Sequence, residues 1–404
     1  MQAKKRGLEM SFALEHFAIS AQFGFLKEMN LRQLPETCDF HRQLNKIINA
    51  LPHLLKTKTL RQTIQNLDAA FSAHPLPLEE PVTAMILIFL TQAYIWEEES
   101  EPANLIPSVL GKHLYAVAKN QQRFPTLTYA DYILQNWCYQ TPNRQLSIDT
   151  IKPLFTFTDS QDEAWFILIH VMIEAACGQA LAAALAGHEY ALSKQKNESH
   201  FIASFKSIQQ ALSLAIHYVR RMEEKCDPDY YYCILRPYLM GFSSVKVGDE
   251  VGIRFASVPT RDKKPSHAYG GASGAASSIL PALDAFLGIK HDIDSMYQVL
   301  LQQQQFMPQP HQLFIHYLRM NPLAQVLKEQ PNLFHEYQKT VLMVREFRRE
   351  HLLLVETYIH KPAARAGKWQ ETVGTGGTPF KSYLANRYHA TQVTPAELAM
   401  EACG

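Results

Sequence analysis

Runs of alternating β-branched residues are almost absent from this chain; only Val251 to Val258 reads as a short strand-pair region, which excludes a sheet protein. Charge of one sign is also lacking: 39 Lys and Arg stand against 38 Asp and Glu, for a formal net charge of +1. Without a basic excess there is no electrostatic case for nucleic acid or an anionic membrane surface as partner. The six cysteines (Cys38, Cys138, Cys177, Cys226, Cys233 and Cys403) show no C-x-x-C spacing, so neither a zinc site nor a redox dithiol is indicated. They read as reduced thiols of a cytoplasmic protein. An uninterrupted membrane span is missing too. The longest apolar stretch, Trp165 to Gly187, carries His170, Glu174 and Gln179 and reads as a buried core helix. Met1 to Arg6 is basic, but Glu9 and Glu15 interrupt the apolar core that a signal peptide needs.

What the chain does have is helical periodicity. Apolar positions recur three and four apart over 42–72, 83–97, 128–138, 161–193, 200–225, 278–305, 311–330 and 332–361, which predicts a mainly α fold. Clusters of Pro, Gly and small polar residues break the pattern at 74–81, 100–107, 140–146, 257–277 and 362–380. A chain of 404 residues can bury a large core, and two domains are predicted, a smaller one over 1–157 and a larger one over 158–404, with 260–278 as a linker.

Several residues could carry chemistry. His351 lies in the helical run Val344, Phe347, Arg348, His351, Val355, Tyr358, and reads either as a satisfied core histidine or as a metal or haem ligand. Arg348, one turn earlier on the same face, could pair with a carboxylate such as a haem propionate. Arg236 sits among Tyr230, Tyr231, Tyr232, Leu235, Tyr238 and Leu239; a buried arginine there needs an internal acid or a bound anion. His170 and Glu174, four apart, would share a helix face, as an internal contact or as half of a metal site. Gly374-Thr375-Gly376-Gly377-Thr378 is a surface loop or a lid, and lacks the lysine of a phosphate-binding loop. Gly270 to Ser278 places small residues before a helix, which can admit a flat cofactor or an anion; it is not G-x-G-x-x-G after a strand, so a dinucleotide fold is disfavoured.

In order and spacing these segments resemble the indoleamine 2,3-dioxygenase family of haem enzymes. The resemblance is carried by Tyr129-Ala130-Asp131 with Asn136-Trp137, by Leu154 to Phe157 with Phe166, and by Leu235-Arg236 with Tyr238-Leu239 and Gly241. It continues through Ser273 with Ser277-Ser278, Asp284 with Leu287-Gly288-Ile289, Met307-Pro308 with His311, His351 with Tyr358-Ile359, and Gly374 to Thr378. The first hundred residues match only faintly.

The resemblance implies a small, mostly helical N-terminal domain over the distal side of a large all-helical domain that holds haem b, ferrous when active, and a mobile loop over 362–380. It implies His351 as the iron ligand, with Arg348 and Ser273 near the haem. Arg236 would pair with the substrate carboxylate, and Thr375 would help hold the amino-acid end. Phe166 and Tyr231 would flank the indole ring, Gly274 would lie where the linker passes the substrate, and Tyr129, Tyr132 and Ile133 would line the inner pocket. The implied reaction inserts both atoms of O2 across the indole C2–C3 bond of L-tryptophan or a close relative, giving an N-formylkynurenine-type product, with a reductant that the sequence does not identify. Three departures from the family pattern stand out. His170 stands where the animal enzymes have serine, and a distal histidine is similar to that of the related tryptophan 2,3-dioxygenases. Tyr231 and Tyr232 replace a phenylalanine pair, and Tyr132 replaces a small residue, which should shrink the inner pocket.

Overall fold

The computed structural model describes residues 14–29, 32–71, 76, 81–142, 144–193, 198–247, 249–256, 258, 267–291, 295–320, 323–367, 374–375, 385–389 and 391. The architecture is helical, with three two-stranded sheets among the described residues. Its centre is the 32-residue helix Gln161–Leu192. Ser160 caps its start by accepting from the Asp162 amide, and Asp162 and Glu163 place negative charge in the first turn, where the helix dipole favours it. By length and composition this helix could cross a membrane, but 61% of its apolar window is buried inside the protein. It packs along Glu198–Arg220, which packs in turn on Phe334–Val355, the helix that carries His351.

Close approach of the N-terminal segment to this central helix is permitted by glycine. A Cβ on Gly178 would meet the Gly24 nitrogen at 2.6 Å, so backbone lies directly on backbone there. The helix Pro81–Trp96 is buried along its whole length except at its first residue. Gln92 and Trp96 on it both donate to the Met240 carbonyl, at 2.6 and 3.2 Å, which ties it to the segment that follows Arg236.

Helical periodicity located the long elements and missed some interruptions. The stretch 42–72 is three helices, Asp39–Asn49, Leu51–Lys56 and Leu60–Phe71. Ser108–Asn120 is a helix that the break at 100–107 announces without naming. The stretch 128–138 is not one helix: a π-helical turn, Ala130–Leu134, runs into the strand Trp137–Tyr139, which pairs antiparallel with Ile151–Pro153. Asn136 makes this possible by holding Phe155 through both its amide oxygen and its amide nitrogen. The region Val251 to Val258 supplies two strands, one paired with Lys246–Val247 and the other, Arg254–Phe255, parallel to Leu105–Ile106.

His311, on Gln309–Arg319, is buried against Phe25 with ring centroids 4.1 Å apart. Burial holds its imidazole down at about 3, well under the ordinary histidine value. A depressed histidine pKa means that the unfolded chain takes up the proton first, so stability is full above about pH 6.5 and is lost as pH falls toward 3. We expect His311→Gln to reduce the stability lost between pH 6.5 and 4 by about 2 kcal/mol in urea titrations.

Candidate active site

Two cavities share one wall. The first, of about 900 Å³, is lined by Tyr129, His170, Glu174, Ser277, Arg348 and His351 among others; the second, of about 800 Å³, by Phe166, His170, Tyr231, Ser273, His351 and Thr375 among others. His170, Gly274, Ala275, His351 and Leu354 belong to both. The two histidines come from different helices, Gln161–Leu192 and Phe334–Val355. Burial, and next the nearby His170, hold His351 down at about 4, so its imidazole is neutral at pH 7. His351 makes no hydrogen bond among the described residues. Burial lowers His170 as well, and its Nδ1 lies 2.8 Å from the Phe166 carbonyl. A carbonyl only accepts, so Nδ1 carries the proton and Nε2 keeps its lone pair.

Arg348 reaches the first cavity, but its carboxylate partner is within the chain. Its Nη2 lies 2.8 and 2.6 Å from the two oxygens of Asp284, which also accepts from His291 at 2.8 Å, and its Nη1 donates to Thr391. Within the chain, then, Arg348 is held by an internal ion pair while it stays on the cavity wall. Burial alone would raise Asp284; Arg348 and His291 outweigh it and keep the carboxylate below its usual value. Glu174 likewise does not bond His170, although the two share a helix face. It accepts from Ser277 at 2.8 Å on one oxygen, while buried Oε2 has no hydrogen-bond partner, and burial pushes the acid up to about 7.

The linker and the glycine loop meet beside the second cavity. A Cβ on Gly241 would lie 2.3 Å from the Gly271 nitrogen, so the linker runs flush against 239–241. The Thr375 carbonyl accepts from both Gly241 (3.3 Å) and Gly271 (3.1 Å), and its hydroxyl donates to the Ala272 carbonyl at 2.6 Å. Gly376 to Thr378, and 260–266 of the linker, lie outside the described residues.

Phe166 and Tyr231 stack on one another, centroids 4.9 Å apart and planes 24° from parallel, so they form one wall and leave no gap between them for an indole ring. Tyr231 belongs to a second π-helical turn, Tyr231–Leu235, and Tyr358 to a third, Glu356–His360. Burial pushes the Tyr231 phenol up to about 12, and the positive charge of Arg236 pulls it back. Tyr132, Ile133 and Arg236 are buried but are not on the wall of either cavity. Tyr132 turns away: its hydroxyl donates to Glu163 at 3.0 Å and its ring stacks with Phe157 and Phe89. Arg236 lies behind the wall with its guanidinium 5.2 Å from the Tyr232 ring centre.

The donor set fits a haem. A neutral imidazole sits on a cavity wall that carries Ile173, Val219, Ile279, Leu280, Phe347 and Leu354, with Glu174, Arg348 and Arg387 as charged groups, and a Cβ built on Gly274 would meet nothing within 4 Å. Among the described residues no three His, Cys, Asp or Glu side chains gather to hold a bare ion. One protein imidazole in an apolar slot suits a metal that brings its own macrocycle. A helical fold with such an imidazole and a second histidine on the same cavity wall has the donor set of a haem protein.

The family model described as "Indoleamine 2,3-dioxygenase" matches residues 13–394, and the chain belongs to that family of haem-dependent dioxygenases. "Indoleamine 2,3-dioxygenase 2" of Mus musculus is 28% identical, over 95% of this chain and 95% of its own. "Indoleamine 2,3-dioxygenase" of Saccharomyces cerevisiae is 27% identical over 87% of this chain and 81% of its own. "6-hydroxytryptophan 2,3-dioxygenase fscD" of Fusarium equiseti is 27% identical over 87% and 86%.

Tyr132 offers a check on this arrangement. Tyr132→Phe keeps the ring stack and removes one hydrogen bond to Glu163, for a cost of about 1 kcal/mol. Tyr132→Ala opens a void behind Phe166 and costs about 3–5 kcal/mol. Equal midpoints for the two variants in chemical denaturation would contradict the placement of Tyr132 in the packed layer.

Proposed function

We propose that this chain is a haem-dependent dioxygenase that cleaves the indole C2–C3 bond of L-tryptophan or a close indole derivative to an N-formylkynurenine-type product. The observation that carries the reading is the second cavity, whose wall brings His351, His170, the Phe166–Tyr231 stack, Ser273 and Thr375 together. His351 is the iron ligand. Haem b, ferrous in the active state, supplies the activation of O2, and the protein's own task is positioning and enclosure. The neutral His170 offers Nε2 as an acceptor for an indole N–H. Phe166 and Tyr231 present an aromatic face to the ring from one side, with Tyr129 and Gly274 at the cavity border. Arg236 supplies the cation for the substrate carboxylate, which reaches past the edge of the Tyr231 wall. Thr375 and Ser273 close the amino-acid end, and enclosure excludes water during turnover.

A relative whose name specifies 6-hydroxytryptophan supports a second reading, a substituted indole as substrate. Turnover of L-tryptophan by haem-loaded, reduced protein under oxygen separates the two. A product heavier by two oxygen atoms supports tryptophan cleavage; a visibly haem-loaded protein that leaves tryptophan untouched but converts hydroxytryptophans supports the second reading. Absence of both products overturns the dioxygenase proposal.

Two substitutions test the assignments. His351→Ala is expected to lose haem affinity, read as loss of the Soret band after gel filtration, and activity with it. Arg236→Ala is expected to weaken carboxylate-bearing substrates by 1.5–3 kcal/mol, roughly 10- to 150-fold, and to leave tryptamine little changed.

A further inference from the structure

Among the buried tyrosines near the site, Tyr132, Tyr337 and Tyr358 each donate to a protein acceptor: the Glu163 carboxyl at 3.0 Å, the Leu287 carbonyl at 2.9 Å and the Cys226 carbonyl at 2.7 Å. This is the usual condition of a buried phenol, since an unmade hydrogen bond there is costly. Tyr231 has no such acceptor. It is only 7% exposed and lines the second cavity, yet its hydroxyl has no hydrogen-bond partner among the described residues. The chain has placed a donor against the cavity and given it nothing to bond.

Three further features say what that donor faces. The π-helical turn Tyr231–Leu235 leads straight into Arg236. In an α-helix, residues five apart point about 140° away from each other. The wider i→i+5 turn brings them toward one side. The effect of the Arg236 charge on the Tyr231 phenol agrees with that placement. Next, the Thr375 hydroxyl on the same cavity has already spent its proton on the Ala272 carbonyl, so it can accept but not donate. Ser273 keeps a free proton, but it is only partly buried and water can satisfy it. That leaves Tyr231 as the buried hydroxyl donor on the side of the cavity nearest a cation.

We infer that the Tyr231 hydroxyl is a second donor, alongside Arg236, for the carboxylate of the amino-acid substrate. This rests on the amino-acid substrate proposed above and deepens it: recognition at this end is a phenol–guanidinium pair set by a π turn, with Thr375 left to accept from the substrate ammonium group. Stacking of the Tyr231 ring on Phe166 fixes the direction of the hydroxyl, so the donor is oriented before the substrate arrives.

The test is spectral titration of haem-loaded wild type and Tyr231→Phe, reading dissociation constants from the Soret shift, with L-tryptophan, ring-hydroxylated tryptophans and tryptamine, which lacks the carboxylate. Loss of a hydrogen bond to a charged group predicts roughly tenfold weaker binding of every amino-acid ligand by Tyr231→Phe, and unchanged binding of tryptamine. Equal loss for tryptamine, or loss confined to the ring-hydroxylated ligands, overturns the inference and assigns the hydroxyl to the ring instead. Unchanged binding of all ligands overturns it as well while leaving the amino-acid reading intact. A wild-type protein that takes up haem but binds none of the indole amino acids removes the functional reading itself, and this inference with it.

Discussion

The buried ion pair between Arg348 and Asp284 is the contact on which the position of His351 depends. Arg348 precedes His351 by one helical turn, and Asp284 lies on Ile279–Leu287, the helix that the linker enters after passing the cavity. The pair joins these two elements where both side chains are largely buried: Arg348 is 4% and Asp284 8% exposed. Removing either partner would strand a charge in the interior, a loss of about 3–5 kcal/mol. The geometry is therefore strongly enforced, with Thr391 and His291 supporting the two ends.

From that fixed point the site is assembled by elements distant in sequence. The central helix brings Phe166, His170 and Glu174, and the linker brings Ser273, Gly274 and Ser277. The segment before the first π turn contributes Tyr129, and Thr375 joins through backbone hydrogen bonds to Gly241 and Gly271. Polar groups here divide into two kinds. Glu163, Tyr132 and Asp131 are satisfied within the protein and hold its layers together. Glu174 Oε2 is buried and unmatched, the Tyr231 hydroxyl has no hydrogen-bond partner among the described residues, and both residues border the cavities.

The sequence made the long helices readable because an apolar stripe at a spacing of three and four survives any tertiary context. The π turns and short strands were not readable in the same way. Residues 128–138 keep a helical apolar pattern, while Asn136 and pairing partners 12 to 16 residues away turn the second half into a strand. In the site, His351, His170, Arg236 and the Phe166–Tyr231 pair stood out as polar or aromatic residues in apolar runs. Their partners did not. That Arg348 is answered by Asp284 and Glu174 by Ser277 follows from contacts 64 and 103 residues apart, which no local pattern encodes.

Among the described residues three π-helical turns lie at the site or directly after a residue that lines it, Ala130–Leu134, Tyr231–Leu235 and Glu356–His360, and each holds one more residue per hydrogen-bonded turn than an α-helix. Such a turn is in effect an insertion of a single residue that the flanking helix has absorbed. Adding or deleting one residue at these three places rotates the side chains that border the cavity while the long helices keep their register. A scaffold built this way can revise its substrate preference by changes of length as well as of residue type, and at sites where ordinary helix packing would forbid both.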